Sequence, residues 1–244
     1  PYTNPVGMYT PRPGHDGESD FSEEEIYSAL YNSLYKIKVD TSIINSQKAN
    51  CVYSKLGGNR RFQELIYEFD NSSLNLTFKL GNLNGENGNC SSSPPYNDVV
   101  ITLDRKKLES RRTIEGARTF LHEAIHAQIF ALLRRIGGHE NLSADNFPEL
   151  FDDYVDYKNG NLPASQLHHS YMAAKYVELI AEGLSEFDTA NQNNPEINLD
   201  HYRALAWGGL EKTKAFNNLS QEQKDKIYLD RDFIVSWHST IACQ

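Results

Sequence analysis

The 244-residue sequence has no apolar run approaching the roughly 18–20 residues needed to cross a bilayer, so no membrane span is expected. It also has no basic cluster to offset a net charge of -9, which removes the electrostatic footprint of a nucleic-acid binder. Nucleic acid is therefore not expected as a partner. Cysteine is scarce: Cys51, Cys90 and Cys243 lie far apart and form no C-x-x-C pair, so they supply no cysteine zinc site. One disulfide with a thiol left over and three free thiols fit that count equally well. The sequence opens at Pro1 without an initiator methionine, as a processed protein or a fragment would. Removal of a signal peptide would make it an exported protein, whether periplasmic, cell-surface or secreted.

A hydrophobic content of 39% over this length is enough for one full core. Residues 1–20, rich in Pro, Gly, Asp and Thr, are expected to form an extended arm or linker, leaving 21–244 as a single domain. Ser22 and the three glutamates after it read as a helix start leading into Ile26, Leu30 and Leu34. Phe62, Leu65, Ile66 and Phe69 recur at helical spacing within residues 59–69. Leu74, Leu76, Phe78 and Leu80 alternate with polar residues and predict a strand; residues 98–103 (DVVITL) predict another, with a polar loop from Gly81 to Ser93 between them. Glu149 to Tyr157, with Asp152, Asp153 and Asp156, reads as a solvated acidic face, since no EF-hand spacing is present. Tyr202 to Leu210 and Gln221 to Trp237 read as two further packing helices, the first closed by Gly208 and Gly209.

The chemistry concentrates in residues 120–130, FLHEAIHAQIF. His122 and His126 are four apart and share one face of a helix, so both imidazoles can converge on one divalent ion, expected to be Zn2+. Glu123 sits about a third of a turn away, positioned to hold a metal-bound water. The flanking Ile114, Ala117, Leu121, Ala124, Ile125, Ile129, Leu132 and Leu133 wrap much of the circumference and predict a buried helix from near Arg112 to Gly137. Two histidines and a glutamate inside such a helix need partners; a metal supplies them, and a hydrogen-bonded core pair is the alternative.

A catalytic zinc usually takes three protein ligands. Ile129 and Leu132 stand where a metzincin needs Gly and His, which excludes that class. Residues 165–187 form an amphipathic pattern through Met172, Ala173, Tyr176, Leu179, Ile180, Gly183, Leu184 and Phe187, and the stripe points His169 inward. His169 ranks first as third ligand, followed by His168. Glu178 and Glu182 fall at the margin of the stripe, and His139 follows two glycines in a loop.

The pairing of FLHEAIHAQIF with HHSYMAAKYVELIAEGLSEF and the later ALAWGGL resembles bacterial zincin-like metallopeptidase domains, some of which sit in exported or toxin-like proteins. The likeness spans roughly residues 40 to 215, and the group's H-x-x-M-A pattern falls on His169, Met172 and Ala173. It is distantly similar to the SprT-like peptidases also, although Ser170 replaces the Gly expected after the histidine. The resemblance implies an α+β fold, zincin-like and mostly helical, with a small sheet beside the H-E-x-x-H helix. It also implies a zinc metallopeptidase acting on a peptide or protein substrate, with Glu123 as catalytic base and His122, His126 and His169 as metal ligands. Tyr171, Tyr176, Tyr202, His201 and His238 remain open as donors to an oxyanion. A zinc hydrolase of another amide or ester and a non-catalytic metal-containing binding module are the alternatives.

Overall fold

The structure, a computed structural model, describes residues 36–70, 72–93, 97–135, 166–191, 194–211 and 213–241. The expected arm, the helix after Ser22, His139 and the acidic aromatic segment lie outside the described residues. The described chain is mixed α/β with a small four-stranded sheet, in line with the coarse expectation.

Strand β1 (Ile37–Val39) is followed by helices α1 (Thr41–Ile44), α2 (Gln47–Gly57) and α3 (Arg60–Asp70). Strands β2 (Asn75–Gly81), β3 (Gly88–Ser93) and β4 (Asp98–Asp104) come next, then the short α4 (Arg105–Ser110) and the long α5 (Thr113–Arg135). Helices α6 (Gln166–Phe187), α7 (Leu199–Ala206), α8 (Lys214–Asn217) and α9 (Gln221–Ser236) complete the described fold. The sheet order is β1-β2-β4-β3: β1, β2 and β4 run parallel, and β3 is an antiparallel edge.

One face of the sheet is apolar because the period-two pattern places Leu76, Phe78 and Leu80 opposite Val99, Ile101 and Leu103 in register. Phe78 stacks into a cluster with Tyr53 of α2, Phe62 of α3 and Phe120 of α5, at ring separations of 5.3, 5.8 and 6.0 Å. Those three helices cover that face, as a sheet with one apolar side requires. Asn59 joins two layers. Its Oδ1 accepts from the Phe62 backbone N–H at 2.9 Å, capping α3, while its amide donates to the Gly183 carbonyl of α6 at 2.6 Å.

The expected strands and the helices at 59–69, 112–137 and 221–237 are present within a few residues. Two boundaries are corrected. The loop assigned to Gly81–Ser93 contains β3, whose sequence GNCSSS turns Cys90 inward; pairing with β4, not propensity, makes it a strand. Helix α7 runs from Leu199 to Ala206, capped by the Asn198 side chain, so it starts three residues before Tyr202 and stops short of Gly208. Cys51 is disulfide-bonded and Cys90 is a buried free thiol, which selects the one-disulfide alternative. No helix among the described residues is long and apolar enough to cross a membrane.

Two polar ties hold the later helices. Asp188, just past α6, accepts from the Tyr202 hydroxyl at 2.8 Å and lies 2.8 Å from Nε2 of His238. Lys48 of α2 donates from a buried position to the carbonyls of Glu109, Arg111 and Thr240, so the segment after α9 is fastened to the α4–α5 junction. Thr113 adds hydrogen bonds to the Ser239 and Ile241 carbonyls of the same segment.

Candidate functional site

Helix α5 packs against β3 and β4 on one side and α3 and α6 on the other, so nearly its whole circumference is buried. Glu115, Arg118, His122 and His126 recur on it at intervals of three, four and four, which makes one polar stripe along an otherwise apolar helix. Each must be satisfied where it lies.

His122, Glu123 and His126 place one ligand atom each within 4.8 Å of one another. The two Nε2 atoms are 3.0 Å apart, with the rings inclined at 66°. Two nitrogens held about 2.0–2.1 Å from one tetrahedral metal lie about 3.3 Å apart, so the pair fits a single divalent ion. Burial, and then the charge of Arg118, push the His122 imidazole down to about 3; burial and then His122 push His126 well down too. Both rings are thus neutral at physiological pH, the form that ligates a metal. The carboxyl of Glu123 is pushed up to about 8 by burial, against the pull of Arg118, and its Oε2 has no hydrogen-bond partner among the described residues.

Two glycines make room for this cluster. A Cβ on Gly88, at the start of β3, would sit 2.5 Å from Glu123 Oε1. A Cβ on Gly209 would lie 2.9 Å from Cε1 of His122, and Gly209 has φ +90°, where L side chains are strained. The turn after α7 therefore closes its helix and brings backbone against the first histidine. Gly209→Ala is expected to cost about 1–3 kcal/mol and to weaken metal binding together, because the new methyl displaces the His122 ring. Thermal denaturation and zinc titration of the variant check both effects.

The pH dependence of the metal-free protein follows from these three groups. The histidines have folded values below their ordinary 6.5, so their contribution is complete above pH 6.5 and is lost as the pH falls below it. Glu123 has a folded value raised from 4.5 to about 8, so its contribution is complete below 4.5 and is lost as the pH rises through about 8. Two histidines outweigh one glutamate below 6.5, which leaves a maximum near that pH. Urea denaturation of stripped protein should show the decline from 6.5 to 8, and Glu123→Gln should abolish it; an unchanged decline in the variant would refute the assignment.

The other sequence candidates are distributed differently. His169 and His168 stand in the first turn of α6, but the side chains of residues 166–175, Tyr171 included, lie outside the described residues. Glu178 and Glu182 are engaged in ion pairs with Arg203 and Arg61 and are not brought into the His122–His126 cluster. His201 accepts from the Asn198 backbone and stacks on Phe233; Tyr202 and His238 are committed to Asp188; Tyr176 is a buried core residue.

Beside the histidines, across the Gly208–Gly209 turn, lies a cavity of about 460 Å³. Arg118 forms part of its wall and donates from Nη1 to the Gly208 carbonyl. Sequence reading passed over Arg118, although an arginine inside a helix apolar all round, one turn before His122, was signal enough.

No family model and no solved structure matches the chain. Two curated relatives are similar to part of it: a protein of Acinetobacter baylyi, 29% identical over 106 residues, and one of Acinetobacter baumannii strain AYE, 28% identical over 106 residues. Each match covers 43% of this chain and 59% of the relative. Both relatives are named nucleotide-binding proteins. Those names correct the expectation of a zinc metallopeptidase of the H-E-x-x-H hydrolase type: the relatives are named for nucleotide binding and not for peptide cleavage.

Proposed function

We propose that this chain binds a nucleotide in the cleft beside α5, next to a divalent ion held by His122 and His126. The observation that carries the reading is its similarity to relatives named nucleotide-binding proteins. Two features of the site support it. The cavity is within the usual size range of small-molecule pockets, about 300–1,000 Å³. Its wall includes Arg118, one helical turn from His122, so a buried guanidinium is at hand for an anionic ligand.

The metal reading rests on the neutral, converging imidazoles. Zinc suits two nitrogen ligands, and His169 remains our candidate for a third. We further read the fold as zincin-like at the level of arrangement, since the antiparallel edge strand β3 lies beside the motif helix. That arrangement brings no peptidase activity with it; function belongs to the site and not to the fold.

Isothermal titration of the full chain with ATP, ADP, AMP, GTP and GMP, with and without zinc, tests the proposal. At least one nucleotide should bind with a dissociation constant in the micromolar range. Absence of binding by all of them at millimolar concentration would overturn it. Metal analysis of the purified chain should give one zinc per molecule, a separate result that bears on the histidine pair alone.

A further inference from the structure

Resting on the nucleotide reading above, we propose that the cavity beside Gly208 and Gly209 receives a nucleoside monophosphate, its phosphate on Arg111 and Arg118 and its nucleoside on Asn87 and the apolar wall. Two buried, unpartnered polar atoms on residues that line one cleft carry the argument. Nε of Arg118 and Oδ1 of Asn87 are both buried without a hydrogen-bond partner among the described residues, and both residues line this cavity. One is a donor on a cation and the other a neutral acceptor. A ligand that satisfies both offers an acceptor at one end, strongest as an anionic oxygen, and an N–H or O–H at the other. A phosphate on a nucleoside has that pairing.

Arg111 and Arg118 stand on the same cleft, each within electrostatic reach of the other. Arg118 is 7% exposed, and Arg111, immediately after α4, makes no ion pair among the described residues. The acids of the cavity already hold hydrogen-bond partners, although Glu211 and Glu115 also act on Arg118 from a distance. Glu115 accepts from the Arg112 backbone N–H at 3.0 Å, and Glu211 accepts from the Gly209 N–H at 2.6 Å while facing Arg231 at 3.4 Å. The exposed Asp232 lies 3.9 Å from Arg231, so that arginine already has two carboxylates and is not assigned to the ligand. Leu205 and Val235 supply the apolar surface that a base or ribose needs.

The framework is fixed before any ligand arrives. The Asn87 carbonyl accepts from Asp104 N at 2.9 Å, and the Arg111 backbone is held by Lys107 and Lys48. Little backbone ordering remains to be met on binding.

Calorimetry of the full chain with AMP, adenosine and inorganic phosphate is the test. Wild type should bind AMP at least about tenfold more tightly than adenosine, the value of a charge-assisted hydrogen bond to phosphate. Arg118→Gln should bring AMP down to the level of adenosine. Arg111→Gln, at a partly exposed position that does not threaten folding, should weaken AMP by about tenfold and leave adenosine unchanged. Asn87→Ala should weaken adenosine and AMP alike. If wild type binds AMP but Arg111→Gln and Asn87→Ala bind it equally well, the cavity is the wrong place and nucleotide binding itself stands. If inorganic phosphate binds as tightly as AMP, the nucleoside half of the proposal falls. If wild type binds no nucleotide at all, the underlying reading falls with it.

Discussion

Replacing His126 with alanine is expected to reduce zinc affinity by at least about a hundredfold, since changes in groups behind a metal ligand alone cost 10–100-fold. The reasoning is local. His126 and His122 offer their Nε2 atoms 3.0 Å apart, both held neutral by burial, so removing either leaves one nitrogen and a carboxyl pushed up toward neutrality. Calorimetric titration of zinc into stripped protein is the measurement, with Glu182→Gln as control because that carboxylate is paired with Arg61. Undiminished zinc binding by His126→Ala would mean that the imidazoles are a hydrogen-bonded core pair.

The second large effect concerns stability. Asp188→Ala should destabilise the fold by about 1–3 kcal/mol for each buried donor it leaves without an acceptor. Burial alone would raise the Asp188 carboxyl, but His238, and then Tyr202 and Asn191, outweigh it and hold the group below its ordinary value. The truncation leaves the Tyr202 hydroxyl and the His238 ring without their acceptor, in a region where Asp188 is 5% exposed. A lowered carboxylate contributes fully above its unfolded value and is lost as the pH falls through the folded one, so the Asp188 contribution is lost below the ordinary 3.8. That separates it from the histidine effect, which begins near pH 6.5. Urea denaturation at pH 7 measures the loss; a change below about 1 kcal/mol would show that the network is worth no more than ordinary neutral hydrogen bonds.

What could be read from residue order alone follows the strength of the local pattern. Leu76, Phe78 and Leu80 alternate cleanly, and residues 113–135 are apolar at helical spacing, so β2 and α5 were legible together with the convergence of His122, Glu123 and His126. Strand β3 was not legible, because Gly88 to Ser93 owes its conformation to hydrogen bonds with β4, over a separation that local propensity does not see. The same limit hid the cavity. Asn87, Arg118 and Gly208 come from three distant parts of the sequence and meet only in the folded chain.

The error about function has a physical lesson of its own. A net charge of -9 argues against a polyanion, whose many phosphates need a broad basic surface. It says nothing about a single phosphate, which needs only one or two well-placed arginines. The H-E-x-x-H spacing likewise describes how two imidazoles meet and leaves the reaction, if any, unspecified.

The clamp formed by Lys48 sets the order in which competence is acquired. Arg111 is held by an amine that also grips the carbonyl of Thr240, and Val235 closes the same cavity from α9. During synthesis, a nascent chain that has emerged only as far as α7 already carries the paired histidines but lacks both the grip and the wall. On the function proposed above, such an intermediate would hold the paired histidines but not the cleft, which is completed only once residues near 240 have left the ribosome.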